Sequence, residues 1–177
     1  MRKLIPFLAV VLLLAALPCG ATTFTYTDLA TWAASSPYSS ASGTTLPGMT
    51  ITAQNPTAGF GVSPNSSCSN PCAFAGSTVW YDEMIPNTYT TTVTFNQAQY
   101  GFGGLWDLYG PSGPGTSLNV YADGVFVGNI ANTLHGTFWG FQSTTAFTNV
   151  LLTAGPSCCV EKYEVGTFYA SNVPEPT

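Results

Sequence analysis

Two alternating runs meet across Asp123-Gly124: Leu118-Asn-Val-Tyr-Ala122 before it and Val125-Phe-Val-Gly-Asn-Ile130 after it. An Asp-Gly pair suits the positive-φ positions of a type I′ turn, whose twist matches two antiparallel strands, so this segment predicts a β-hairpin. The same theme recurs along the chain. Tyr89-Thr-Thr-Thr-Val-Thr-Phe95 is dense in β-branched and aromatic residues, which fit a pleated, half-buried surface. Further strands are predicted at Phe24–Thr27, Met49–Ala53, Thr78–Tyr81, Gln99–Tyr109, Thr137–Gln142, Asn149–Thr153 and Val160–Tyr169. Residues 35–48 and 54–72 read as loops rich in Ser, Gly, Pro and Asn. A helical pattern occurs once, with Asp28 as cap and Leu29, Trp32 and Ala33 on one face. The expected fold is therefore all-β: an antiparallel β-sandwich of jelly-roll type with one short N-terminal helix.

The first 21 residues belong to export rather than to the fold. Arg2 and Lys3 precede the apolar run Leu4–Leu17, and Cys19-Gly20-Ala21 offers small residues for signal peptidase, with cleavage placed after Ala21. Lipidation at Cys19 is the alternative, and Pro18 before it fits that cleavage poorly. Residues 22–170 then form one domain, followed by a spacer and tail at 171–177. Removal of Arg2 and Lys3 leaves Lys162 against eight acids, a formal charge of −7. No basic patch remains, which argues against nucleic-acid or anionic-membrane partners.

No catalytic constellation is legible. His135 is the only histidine and sits beside a predicted turn, where solvation explains it. No Gly-x-Ser-x-Gly elbow accompanies it. Of the acids, Asp28 reads as a cap and Asp123 as a turn residue, while Asp82 and Glu83 point to opposite faces of one strand. Asp107 and Glu164 are the one pair that a hydrolase would use, although nothing in the sequence joins them. No cofactor is implied. Asp107 is the candidate calcium ligand, with hydrogen bonding to the following Gly/Pro turn as its ordinary role. Trp106 and Trp139 read as core, whereas Trp80 and Tyr81 read as the exposed aromatics that would contact a glycan.

Val173-Pro174-Glu175-Pro176-Thr177 closes the chain behind a Ser/Asn spacer. This tail resembles the Pro-Glu-Pro signal of the PEP-CTERM family, bacterial exported proteins handled by the membrane enzyme exosortase. The resemblance extends to Thr23-Phe-Thr-Tyr-Thr-Asp-Leu-Ala-Thr-Trp32, Phe102-Gly-Gly-Leu-Trp-Asp107, Phe138-Trp-Gly-Phe141 and Phe147-Thr-Asn-Val150. It departs at Gly166, where relatives often carry Asp. The resemblance implies a secreted or cell-surface protein with Val173, Pro174, Glu175 and Pro176 as sorting motif. Its implied partners are signal peptidase, exosortase and an extracellular polysaccharide matrix. The family joins this motif to an anchor helix and a basic cluster, which are expected to follow Thr177 and would supply its membrane contact.

Cys68, Cys72, Cys158 and Cys159 remain after signal removal, an even count that favours disulfides in an exported chain. A Cys158–Cys159 bridge is disfavoured because adjacent Cα atoms lie closer than a disulfide spans. Zinc is the alternative, although two neighbouring cysteines chelate one metal awkwardly. At least one bridge is expected to join the Cys68/Cys72 pair to the Cys158/Cys159 pair. Such a bridge closes a loop of roughly 90 residues, valued at about 4 kcal/mol by chain entropy. Peptide mapping without reduction checks this; a lone Cys68–Cys72 link with free thiols at Cys158 and Cys159 overturns it.

Overall fold

The computed structural model describes residues 22–54, 61–64, 73–84, 88–109, 116–155 and 161–174. In chain order the elements are β1 (Thr23–Tyr26), α1 (Leu29–Ser35), β2 (Ser39–Ser42), β3 (Met49–Ala53), β4 (Gly61–Pro64) and β5 (Thr78–Met84). They continue with β6 (Thr90–Asp107), β7 (Leu118–Ala122), β8 (Val125–Ile130), β9 (His135–Ala154) and β10 (Glu161–Ser171). The expected all-β, antiparallel architecture with one short helix is what forms. Among the described residues no helix is long and apolar enough to cross a membrane.

Two long strands organise everything else. Strand β6 has 18 residues and β9 has 20, and they pair antiparallel along most of their length. Each merges two segments that the sequence pattern separates. One end of this ribbon carries β3 beside β6 and β7-β8 beside β9. The other end carries β10 beside β6 and β1 beside β9. The outer edge of β10 is taken first by β5 and then by β2, and β4 continues beyond β5. All ten strands thus join one sheet, so the two layers expected of a jelly roll are here two wings of a single sheet. Strands β2 and β4 lie inside expected loops; Ser39-Ser-Ala-Ser42 has no apolar alternation to announce a strand.

The ribbon changes face between its ends. From Thr94↔Asn149 to Gln99↔Phe147, β6 advances five residues while β9 advances two. From Gln99↔Phe147 to Gly101↔Gln142 the imbalance reverses, two residues against five. Each strand therefore carries three extra residues, and bulges of this kind bend a strand and raise its twist. An odd insertion also switches side-chain parity. Val93 and Phe95 share the main core with Phe102 and Trp106, odd positions before the bend and even ones after it.

Phe102 sits where the wings meet. Its ring stacks on Phe168 at 6.1 Å and meets Phe95, Phe141 and Trp106 edge-on at 5.9–6.4 Å. Phe147 completes the junction, 5.1 Å from Phe141 and 6.3 Å from Phe95. Full burial of such a ring contributes about 1.5–3 kcal/mol.

Helix α1 covers the opposite face of the second wing. Asp28 accepts hydrogen bonds from Thr31 N and Oγ1, both 2.8 Å, and these hold its carboxyl below the usual value. Trp32 is fully buried with Phe138 and Tyr169, and Leu29 and Ala33 pack alongside. Its indole Nε1–H donates to Phe141 O at 3.0 Å, and Gln142 Nε2 donates to Trp32 O at 2.9 Å. Beneath Phe138 the sheet is thinned by directly paired Gly103 and Gly140. At the hairpin, Asp123 (φ 43°) and Gly124 (φ 83°) form the expected turn, and the Asp123 carboxylate accepts from Thr148 N and Asn149 N.

A methyl group at Gly140 would lie 2.7 Å from the Phe138 ring and 3.0 Å from Gly103 Cα. Gly140→Ala is therefore expected to lower stability by about 1–3 kcal/mol through overpacking. Urea unfolding checks it; an unchanged midpoint would show that Phe138 moves aside freely.

Candidate functional site

Register brings four residues into one row on the outer face of the second wing: Tyr81↔Glu164↔Asp107↔His135, across β5, β10, β6 and β9. Directly opposed residues share a face. The neighbouring pair Glu83↔Lys162 adds an ion pair, Nζ to Oε2 at 3.1 Å. Tyr81 O–H donates to Glu83 Oε2 at 3.4 Å. Burial, and then the nearby Glu83 charge, push the Tyr81 phenol up to about 12.

Asp107 is the centre of this row and has no exposed side-chain surface. Its Oδ2 accepts from Ala73 N at 3.1 Å, and its Oδ1 accepts from Tyr109 N at 3.0 Å. His135 Nδ1 lies 3.3 Å from the same Oδ1, with its ring 6.0 Å from that of Tyr109. The Gly/Pro turn expected to bond Asp107 lies outside the described residues, and the contact seen is to Tyr109 just before it. Backbone donors on both oxygens are an arrangement for pinning chain segments. Among the described residues no group of three or more His, Cys, Asp or Glu is placed to hold a metal ion. Nearby, Phe74 lies over Gly166, where an added Cβ would come within 2.5 Å of the ring. A side chain at position 166 would therefore have to displace the Phe74 ring.

The structure joins Asp107 to Glu164, which the sequence could not do. It also revises three positions. Trp80 is not an exposed platform: it is 3% exposed and packs against Tyr163 and Phe168. Alternation along β5 places Trp80 on the core side with Asp82, so a tryptophan beside charged neighbours still faces the core. Tyr81 is half-buried within the polar row. His135 is no loop residue; it opens β9 and touches Asp107. Cys68, Cys72, Cys158, Cys159, Glu175 and Pro176 lie outside the described residues.

Asp82 and Glu83 do take opposite faces. Asp82 is 1% exposed on the core side. It accepts from Glu83 N at 2.8 Å, Tyr163 O–H at 3.2 Å and Thr91 Oγ1–H. Burial raises its pKa against the opposing pull of those donors.

A third feature was not legible as a site. At the bend of β6 a cavity of about 370 Å³ is lined by Leu46, Pro47, Asn96, Gln97, Gln99 and Asn172 among others. Its sequence signal was the run of amides interrupting a strand pattern. Close by, the tail leaves the domain: Ser171 Oγ–H donates to Pro37 O at 2.7 Å and its oxygen accepts from Val173 N at 3.3 Å. Val173 and Pro174 are exposed.

Neither a family model nor a curated protein sequence matches this chain. Among solved structures it is similar to the catalytic unit of a thermostable GH87 alpha-1,3-glucanase from Streptomyces thermodiastaticus strain HF3-3, at 16% identity and a TM-score of 0.40. That alignment covers 78% of this chain and 26% of the other. A second is the catalytic domain of a GH87 alpha-1,3-glucanase in complex with tetrasaccharides, at 13% identity and a TM-score of 0.41, covering 77% and 30%. The chain thus spans under a third of either structure, and at these TM-scores the likeness defines neither fold nor function.

Asp82 gives a pH dependence with a definite sign. Its folded pKa lies above the ordinary 3.8. From about pH 4 up to the raised value, the folded chain holds a proton that the unfolded chain has released, so stability falls as pH rises. Above the raised value that loss is complete. Asp82→Asn is expected to remove this component, so its stability relative to wild type should climb through the window and then level off. Denaturant unfolding from about pH 4 to pH 8 measures the difference; parallel curves would exclude Asp82 as its source.

Proposed function

We propose that this chain is an exported, non-enzymatic protein of the bacterial cell surface or extracellular matrix, sorted through the PEP-CTERM route. The observation that carries the reading is the exit of the tail. β10 ends at Ser171, whose hydroxyl ties the chain to Pro37 O, and Val173-Pro174 then stands exposed beyond the last strand. A processing enzyme needs such an accessible segment, and each proline there disfavours helix. The apolar run at Leu4–Leu17 behind Arg2 and Lys3 supports export.

The polar row supports a structural role for its acids. Asp107 and Glu164 stand opposite one another as a hydrolase pair would, yet they are 0% and 6% exposed. Asp107 also binds the backbone of two segments. A carboxyl group so engaged and so buried is poorly placed to reach a glycosidic oxygen. With Trp80 in the core and Tyr81 half-buried, glycan contact through this pair lacks the open aromatic platform it would need.

The test is expression from the complete gene in an exosortase-bearing bacterium, comparing wild type with Pro174→Ala and Glu175→Ala. Wild type is expected to appear at the surface or in the medium in a processed form, while the variants accumulate unprocessed. Equal processing of all three, read by mass spectrometry of the C-terminal peptide, would refute the sorting assignment.

A further inference from the structure

We infer that the cavity at the bend of β6 binds a neutral polyhydroxylated ligand, a sugar unit of an uncharged glycan. The site goes beyond sorting and stands independently of it. Four amide side chains, Asn96, Gln97, Gln99 and Asn172, line the cavity, and among the described residues no charged one does. Each amide offers two N–H donors and a carbonyl acceptor. A vicinal pair of sugar hydroxyls presents the same mixture, since every hydroxyl both donates and accepts. Leu46 and Pro47 supply apolar wall suited to the C–H face of a pyranose ring. The volume, about 370 Å³, falls at the small end of the range for small-molecule sites.

The bend itself prearranges these groups. Pairing with β3 ends at Phe95, and β9 is met only at the isolated pair Gln99↔Phe147 before regular pairing resumes at Gly101, so residues 96–98 leave the ladder. Phe95 stays buried below and anchors the segment. Asn96 N donates to Gly48 O at 2.9 Å, and Gln99 Nε2 donates to Gln97 O at 3.1 Å. Gly48 has φ +77°, and a Cβ there would lie 2.2 Å from Asn96 Oδ1. Glycine at this position therefore lets the Asn96 amide lie directly against the Leu46–Gly48 loop. Bulges re-aim side chains in this way beside binding sites. The charge balance also selects the ligand. Eight acids stand against three basic residues in the whole chain, which disfavours an anionic polysaccharide.

Titration of the ¹⁵N-labelled protein with neutral tetrasaccharides of β-1,4-, β-1,3- and α-1,4-linked glucose, and with tetragalacturonate, tests the site. Saturable shifts of the Asn96, Gln97, Gln99 and Asn172 side-chain amides are expected with at least one neutral sugar, at a dissociation constant on the order of 1 mM or tighter. The acidic sugar should leave them unmoved. Gln97 and Asn172 side chains are exposed, so Gln97→Ala and Asn172→Ala should keep the wild-type unfolding midpoint and each weaken binding about five- to tenfold. No shift at these amides with any neutral sugar overturns the inference, as does binding that survives the double variant or favours the galacturonate. Processing that survives Pro174→Ala with sugar shifts intact would mark failure of the sorting reading alone, and lost processing in that variant with no sugar shift in the wild type would mark failure of the cavity reading alone.

Discussion

The matched bulges of β6 and β9 are the constraint on which the rest of the molecule depends. Three extra residues in each strand turn the face of the ribbon, and Val93, Phe95, Phe102 and Trp106 enter one core only because of that turn. With regular alternation through the bend, Phe102 and Trp106 would point to the face that α1 covers. Every other strand borrows its register from this ribbon: β3, β7 and β8 at one end, and β10, β1, β2, β5 and β4 at the other. The same irregularity takes residues 96–98 out of the ladder. One feature therefore joins the two wings and opens the cavity between loop and strand.

The outer face of the second wing is divided by chemistry. At one end, Gly103 and Gly140 thin the sheet so that Phe138, Trp32 and Tyr169 can pack under the helix. At the other, Asp107 receives backbone N–H groups from Ala73 and Tyr109 and faces His135. Buried polar groups are costly unless hydrogen-bonded, so a satisfied carboxyl group can fix two loops where an apolar residue could not. Asp82 does comparable work on the core side, joining β5 to β6 through Thr91 and to β10 through Tyr163. These acids are understood most simply as fasteners of strands and loops.

Local chemistry was legible wherever a residue answers to its immediate neighbours. Asp28 caps α1 because its carboxylate reaches an amide three residues on. Asp123-Gly124 turns the hairpin because both residues tolerate positive φ. Asp82 and Glu83 part because successive side chains in a strand alternate. Trp80 was misread for a related reason. Its charged neighbours suggest an edge, but alternation along β5 places Trp80 and Asp82 inward together, and only the cover supplied by β10 makes both buried.

The sequence by itself determined the strand-rich class, the short capped helix and the tight hairpin, since each follows from backbone preferences within a few residues. The tertiary structure alone decided that two pairs of segments fuse into single long strands. It also decided that Tyr81, Glu164, Asp107 and His135 share a row, and that a string of amides lines a cavity. Those outcomes depend on register between strands far apart in the chain. A slip of one residue exchanges the two faces of a strand, and only packing of the complete core selects among registers.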